Sequence, residues 1–364
     1  MPRSSSASSF YRAPLKASAL VLALAAATSA MAVENGNQRY SAGVGGSDMT
    51  TPVVPGLYFQ APMVAYQASK IKGNDGKQWV NPTPFPGGGG LPAVPGLTSR
   101  IGIDTDTYAI LPRLTYISSH RLLGAHVGVT AMLPVVKRKA SFTGTPNFAG
   151  TPLEFAPEAT KAVVAGQINS GVAAQLNGSE TGIADLEVSP VMHWEIGDHQ
   201  SVTFAPTIVM PLGDFKADQR VNTGFGDYYT FRPSVQYAFI GDGWDLGGRA
   251  VMSFNTRNKD TEYRTGNIFN FDWQAMAFVS EDIRVGVQGY FVRQLQNDSS
   301  RYADVQTAIN AQGGSKASVN AIGPAVAWLM NGGEMLIEGK FIKEFGAKNR
   351  TEGQAFWLTI SKPL

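Results

Sequence analysis

The chain has 364 residues, of which 43% are hydrophobic and 16% are charged, and its net charge at pH 7 is +2. It contains no cysteine, which excludes disulfides and thiolate metal sites, so an exported fold must be held by packing or by a closed sheet. The small net charge leaves no excess of positive charge to bind the phosphates of nucleic acid, which is therefore not an expected partner.

The N-terminus has the three parts of a secretory signal peptide. Three basic residues precede an apolar run at 17–27, and the small-x-small sequence Ala-Met-Ala follows at 30–32. The apolar run is shorter than the roughly 20 residues that a spanning helix needs. We therefore predict a signal peptide over residues 1–32 and a single domain over 33–364. Removal of the three basic residues would lower the net charge from +2 to −1.

Apolar and polar residues alternate along most of the remaining chain, which is typical of strands with one apolar and one polar face. After the signal peptide no apolar run approaches the length of a membrane helix, so a membrane location requires a closed barrel. We expect strands near residues 57–66, 107–116, 122–133, 185–194, 201–210, 229–239, 244–255, 269–277, 282–292, 319–329, 334–342 and 353–361. The predicted fold is all-β, a transmembrane up-and-down antiparallel β-barrel of about 12 strands.

The predicted connections alternate between short and long. Short turns are expected at residues 118–121, 197–200, 241–243, 280–281 and 331–333. Outer-membrane barrels combine short periplasmic turns with longer external loops, so this pattern predicts the outer membrane of a Gram-negative bacterium as the location.

Aromatic residues on the apolar face form two groups, as expected of the girdles at two membrane interfaces. One group lies near the short turns and comprises Tyr116, Trp194, Tyr237, Trp244 and Trp328. The other lies near the long loops and comprises Phe254, Phe269, Phe271 and Phe291. A secreted β-sandwich also has alternating strands, but it predicts neither the girdles nor the alternating loop lengths.

Short motifs recur within the predicted strands and just before them. Four strands carry a proline, an apolar residue two positions later and an aromatic residue four positions later, as at 112–116. Residues 181–186 and 223–228 share the pattern T-G-x-[AG]-D, and Pro-Gly-Leu-Tyr-Phe stands at 55–59. Together these elements resemble the outer-membrane family labelled MetA-pathway of phenol degradation. The resemblance implies a transporter-like barrel that passes small hydrophobic or aromatic molecules.

If the apolar face contacts lipid, the opposite face lines the lumen. The candidate lumen-lining residues are Arg113, Asp185, Glu187, His193, Arg232, Arg249, Asp272, Arg284, Glu338 and Lys340. In a bore of about 12 strands these mixed charges either tune the passage of a solute or form ion pairs that close the lumen. Asp185 and Asp227 follow glycine-containing turns and are candidate ligand-orienting carboxylates at the outer mouth, although aspartate after glycine is also ordinary turn chemistry.

The long loop at 134–184 contains a candidate helix. Within residues 158–177 the apolar residues stand at four-residue spacing, at Val164, Ile168, Val172 and Leu176. Such a helix either folds into the mouth, where it would constrict it or cover entering solutes, or belongs to a mobile external loop.

The predicted function is passive, selective uptake of small hydrophobic or aromatic compounds, without a cofactor or a metal. An outer-membrane lipid hydrolase and a structural or adhesive barrel with a closed lumen remain alternatives. A hydrolase needs a nucleophile, a base and an orienting partner, yet the chain has four histidines and no G-x-S-x-G segment, so no enzymatic activity is expected. The expected partners are outer-membrane lipid, the solute and the barrel-assembly machinery.

Overall fold

The computed structural model describes residues 34–36, 38–51, 53–88 and 90–364. The predicted signal peptide, residues 1–32, lies outside this described part. The strands are β1 (Gly56–Lys72), β2 (Val80–Pro82), β3 (Thr98–Ile110), β4 (Arg113–Leu122), β5 (Ala125–Met132), β6 (Val135–Asn147), β7 (Gly178–Ile183), β8 (Leu186–Ile196), β9 (Gln200–Met210), β10 (Thr230–Gly241), β11 (Trp244–Asn255), β12 (Tyr263–Arg264), β13 (Ile268–Phe278), β14 (Ile283–Gln294), β15 (Ser299–Ser300), β16 (Ser318–Met330), β17 (Met335–Lys348) and β18 (Arg350–Pro363). The helices are α1 (Glu158–Leu176) and α2 (Ala303–Ala311).

The strands form a closed antiparallel barrel of 12 strands, which confirms the predicted fold. The ring closes where β18 pairs with β1, from the Tyr58–Pro363 pair to the Lys72–Arg350 pair. Three of the 12 strands consist of two pieces each, because β3 continues as β4, β5 as β6 and β7 as β8. The remaining short strands lie outside the ring, where β2 pairs with β3 and β12 with β15.

The breaks in these three strands lie side by side in the wall. Pro112 separates β3 from β4, and Pro134 separates β5 from β6. Proline has no backbone N–H, so the regular ladder stops there. Each break is still crossed by one backbone hydrogen bond, donated by Leu111, Leu133 and Ala184 over 2.8, 3.3 and 2.8 Å. The wall therefore stays joined across the interruption.

Several strands extend further than predicted at the long-loop end. β1 reaches Lys72, β6 reaches Asn147 and β7 occupies a stretch that alternation assigned to a loop. The hairpin between β4 and β5 also turns later than expected. Its turn consists of Leu123 and Gly124, which both have positive φ, at 52° and 79°, as a tight two-residue hairpin requires.

The helix predicted within residues 158–177 is present as α1, and the four apolar residues of the predicted stripe are buried. They belong to a hydrophobic cluster that also contains Phe85, Ile103 and Phe142. Ile103 and Phe142 line a cavity inside the barrel as well. The helix therefore packs on the inner face of the sheet, against β6, at the long-loop end.

The outer face of the barrel is apolar. Tyr116, Tyr237, Trp244 and Trp328 are exposed near the short turns, and Phe254 is exposed towards the long loops. The alternation thus places apolar side chains on the outer surface, which is the arrangement of a lipid-facing belt. Neither helix in the described part of the chain is long and apolar enough to cross a membrane.

Candidate functional site

The lumen is occupied by residues 38–51, which we call the plug segment. The segment precedes β1 and crosses the inside of the barrel, where wall side chains bind its backbone. Ser47 N–H donates to Glu338 Oε2 over 2.7 Å, and Lys340 Nζ donates to Gly45 O over 2.6 Å. Two of the predicted lumen-lining residues therefore hold the plug segment in place.

Asp272 is a second attachment point in the middle of the wall. Its carboxylate accepts hydrogen bonds from the Tyr40 hydroxyl over 2.7 Å and from Gly43 N–H and Gly45 N–H over 3.0 Å each. Gly43 has φ +84°, and a Cβ there would lie 2.9 Å from the ring of Tyr290. This turn of the segment thus requires glycine for both its conformation and its close approach.

Asp48 joins the plug segment to the opposite part of the wall. Its Oδ2 lies 3.1 Å from Arg249 Nη2 and 3.4 Å from Arg113 Nη1. Two positive charges at these distances favour the ionised form of the Asp48 carboxyl. Asp48 therefore stays charged between the two guanidinium groups.

The other predicted lumen charges also have partners within the barrel. Arg232 pairs with Glu187, and Arg284 in β14 pairs with Asp245 in β11, two strands away. Glu338 and Lys340 lie 3.5 Å apart and both contact Gln288. The mixed charges of the inner face thus form pairs and plug contacts rather than an open polar channel.

His193 lies apart from the plug contacts. Its Nδ1 shares a hydrogen bond of 2.8 Å with the hydroxyl of Thr203 on the adjacent strand. The His193 side chain is almost fully buried, so its ring nitrogen needs a hydrogen-bond partner within the protein. The described residues, 34–36, 38–51, 53–88 and 90–364, contain no cluster of three or more potential metal ligands.

The two mouth candidates differ in position. β7 continues the wall above Asp185, so this carboxylate lies partway down the lumen and not at the outer mouth, where the sequence placed it. It forms a buried ion pair of 2.8 Å with Arg39, just before the turn of the plug segment. Asp227 is in an external loop, and its exposed carboxylate pairs with Lys259 over 3.1 Å.

The plug segment separates two cavities. The upper chamber, at the long-loop end, has a volume of about 190 Å³, and its lining includes Tyr66, Phe142, Tyr290 and Trp357. The lower chamber has a volume of about 540 Å³ and reaches the short-turn end at Gly332. Tyr40 and Ser41 line both chambers, so a solute passing between them must displace this part of the plug segment.

The sequence did not predict the plug segment or its residues Arg39, Tyr40 and Asp48. The segment has no periodic pattern, because it is neither strand nor helix over most of its length and its contacts come from both side chains and backbone groups. Its one visible signal is the run Gly43–Gly46 shortly before the first strand, in a stretch too irregular for a strand or helix.

Comparison with known proteins shows what the chain as a whole is similar to. The sequence model of the family described as "Putative MetA-pathway of phenol degradation" matches residues 70–360. The COG4313 outer membrane channel from Pseudomonas putida F1 has a similar structure, with a TM-score of 0.62, 8% identity, and coverage of 88% of this chain and 99% of that chain. This similarity shows the barrel fold.

Two other barrels are less similar. The β domain of the Bordetella autotransporter BrkA gives a TM-score of 0.43 at 7% identity, over 85% of this chain and 100% of that chain. The CymD monoaromatic hydrocarbon channel gives 0.40 at 8% identity, over 93% and 98%. No curated protein sequence matches the chain.

Proposed function

Because the chain belongs to the family labelled MetA-pathway of phenol degradation, we propose that it is an outer-membrane channel for the passive, selective uptake of small hydrophobic or aromatic compounds. The observation that carries this proposal is the division of the lumen into an aromatic upper chamber and a larger lower chamber by a segment bound to the wall without covalent links. In this proposal residues 1–32 direct export, the outer belt contacts lipid, and the barrel-assembly machinery inserts the chain.

The size of the upper chamber fits a compound with one aromatic ring. Its lining combines aromatic side chains with four charged ones, those of Arg138, Arg220, Glu344 and Arg350. An apolar cavity of about 150 Å³ is enough to hold benzene, and this chamber measures about 190 Å³. The hydroxyl groups of Tyr66 and Tyr290 both donate to Glu344, over 2.9 and 2.8 Å, so their polar ends are already satisfied. The two tyrosine rings therefore provide an apolar surface against which an apolar solute can pack.

The plug segment explains how such a channel selects its solute. In this proposal it closes the bore to ions and water while it is bound to the wall, and its hydrogen bonds and ion pairs are exchanged for water when it moves. The net contribution of such contacts is smaller than their strength in isolation, because water replaces the lost partners, so we propose that the segment can move aside without an external energy source. Transport would then run down the concentration gradient of the solute.

A crosslink between plug and wall tests this proposal. Gln274 Nε2 donates to Thr50 Oγ1 over 3.2 Å, and the chain has no native cysteine, so Thr50→Cys with Gln274→Cys can be joined by dibromobimane. We expect the joined variant to lose uptake of labelled toluene by intact cells, while each single-cysteine variant treated in the same way retains it. Equal uptake by the joined and untreated proteins would show that the plug segment does not control passage.

A further inference from the structure

The wall of the upper chamber contains an arginine without an ion-pair partner. Arg138 lies on the inner face of β6 and lines the chamber. Its Nη1 donates to Asn222 O over 2.7 Å, and no carboxylate in the described part of the chain forms an ion pair with it. This includes Glu180, which stands opposite Arg138 in the pairing of β6 with β7. The positive charge of Arg138 is therefore not balanced by direct contact with a carboxylate.

The other charges around the chamber leave this arginine available. The lining holds three guanidinium groups and one carboxylate, and that carboxylate, Glu344, is paired with Arg350 over 2.9 Å. Arg220 is the third guanidinium of the lining. Two further carboxylates lie outside the lining, Glu34 in its hydrogen bonds to an external loop and Asp214 beside Gly182. An anion in the chamber thus meets positive charge and one carboxylate that is already paired.

Arg138 also has a donor that is both unused and accessible. Its Nε is buried, whereas its Nη2 makes no hydrogen bond to the described residues and keeps accessible surface towards the chamber. Thr107 is the direct neighbour of Arg138 on β3, and its hydroxyl is likewise accessible and without a partner among these residues. Directly opposite residues of an antiparallel pair have Cβ atoms about 4.5–5.5 Å apart. One carboxylate can therefore accept hydrogen bonds from both side chains.

The same row of the wall continues with an aromatic ring. Tyr66 stands opposite Thr107 on β1, and Ala355 stands opposite Tyr66 on β18. Neighbouring strands lie about 4.7–4.9 Å apart, so the row runs from guanidinium to hydroxyl to aromatic ring over the length of a small molecule. Phe142 and Trp357 add further aromatic surface, and the volume of about 190 Å³ limits the ligand to one ring.

We propose that the upper chamber is a binding site for small aromatic monocarboxylates, with the carboxylate between Arg138 Nη2 and the Thr107 hydroxyl and the ring against Tyr66. This inference deepens the proposed function, on which it rests for the route by which the ligand arrives. It makes Arg138 a residue that determines specificity, because it favours an acid over a neutral compound of the same shape.

Calorimetric titration of the purified protein with benzoate and with benzamide tests the site. Benzamide has nearly the same shape without the charge, so we expect benzoate to bind about tenfold more tightly. Equal affinities for the two probes, or no binding of either, would overturn the proposal.

Arg138→Gln assigns the preference to this chamber. It should bind benzoate and benzamide with equal affinity, while its heat-modifiable migration on gels shows that the barrel is folded. Lys139→Gln is the matched control, because it removes the same charge from the next position of β6, which is exposed on the outer face, and it should keep the preference for benzoate. A preference that survives in Arg138→Gln would overturn the assignment.

Thr107→Val tests the second donor and decides the assignment if Arg138→Gln does not fold. Valine has nearly the shape of threonine but cannot donate a hydrogen bond. Since hydrogen bonds to charged groups are stronger than neutral ones, we expect the affinity for benzoate to fall about tenfold. An unchanged affinity in this variant would show that the carboxylate does not lie in this row.

The channel function and the carboxylate site fail in distinguishable ways. If toluene uptake depends on the free plug segment but benzoate is not preferred over benzamide, the channel function stands and the carboxylate site is wrong. If benzoate is preferred through Arg138 but crosslinking leaves toluene uptake unchanged, the binding site stands and the uptake route is wrong.

Discussion

Asp48 is the residue on which the lower anchor of the plug segment depends, because it faces two guanidinium groups at 3.1 and 3.4 Å. Removing one partner from a buried ion pair typically costs about 3–5 kcal/mol, since the other charge is left unpaired. We therefore expect Asp48→Asn to displace the plug segment and to produce frequent anion-selective openings in planar bilayers.

Asp227→Asn is the control for this variant, because Asp227 is an exposed carboxylate in an external loop. It should remain as silent as the unaltered protein in the same bilayer recording. A closed Asp48→Asn channel would mean that the backbone contacts to Asp272 and Glu338 are enough to hold the segment.

Glu34 links the chain just before the plug segment to the loop after β11, through hydrogen bonds from Thr261 and Asn258. Burial raises the pKa of the Glu34 carboxyl to about 7, with a smaller contribution from the charge of Asp260. An acid with a raised pKa in the docked state binds its proton more readily there. Its contribution to docking is thus complete below the ordinary pKa of glutamate, 4.5, and is lost as the pH rises through about 7.

The pH dependence can be measured by hydrogen exchange of the backbone around Tyr40. After correction for intrinsic rates, we expect stronger protection below about pH 5 than above about pH 8. Glu34→Gln should show the same protection at both values, because the neutral amide imitates the protonated acid. A pH dependence that persists in Glu34→Gln would assign the effect to another group.

At the scale of elements, α1 is held against the inner face of the sheet by one row of buried apolar residues. Ile168 is fully buried in the cluster with Phe142, and truncation of such a residue typically costs about 2–5 kcal/mol. We expect Ile168→Ala to release the helix for proteolytic cleavage while the barrel remains resistant. Val163→Ala, an exposed position on the same helix, should leave the cleavage pattern unchanged. If proteolysis of Ile168→Ala degraded the barrel as well, the helix and the barrel would unfold together.

The strands could be predicted because each has one face against lipid and one against the lumen, which imposes period two on the sequence. That constraint ends outside the membrane, where β7 and the upper part of β6 carry a weak signal and read as loop. Proline also obscured the pattern. Pro233 lies directly opposite Pro206 between β9 and β10, inside strands that continue past both residues.

The candidate site was predictable only in part. Alternation identifies Arg113, Arg249 and Asp272 as inward-facing, because the face on which a side chain lies depends only on its position within one strand. Their partners come from a segment without periodicity more than 60 residues away from the nearest of them, as in the Asp48–Arg113 pair with a separation of 65. Such long-range pairing leaves no trace in local sequence. Ion pairs within the lumen were therefore one of two expected arrangements, but the plug segment that takes part in them could not be foreseen.

At the scale of the whole molecule, the apolar belt determines how the barrel sits in a bilayer. Val235 is an exposed residue near the middle of β10, and a cationic side chain near the bilayer midplane costs about 2–4 kcal/mol. We expect Val235→Arg to lower the stability of the refolded barrel in phospholipid vesicles by this amount, as measured by urea titration. Leu123→Arg, at the tip of the hairpin between β4 and β5, should have little effect. Equal stabilities for the two variants would place Val235 outside the hydrocarbon layer.

The course of the N-terminal chain through the lumen constrains how the barrel can be assembled. Glu34 contacts an external loop, Asp272 holds the turn of the plug segment at mid-height, and β1 starts at Gly56 beside the short turns. The chain thus descends through the bore before its first strand climbs back. Two orders of assembly are possible. Either β1 pairs with β18 after the plug segment has been placed inside the barrel, or the plug segment enters the lumen after the barrel has closed. The order of these two events therefore matters for assembly. A barrel in which β1 and β18 pair too early would have a complete wall and an empty lumen.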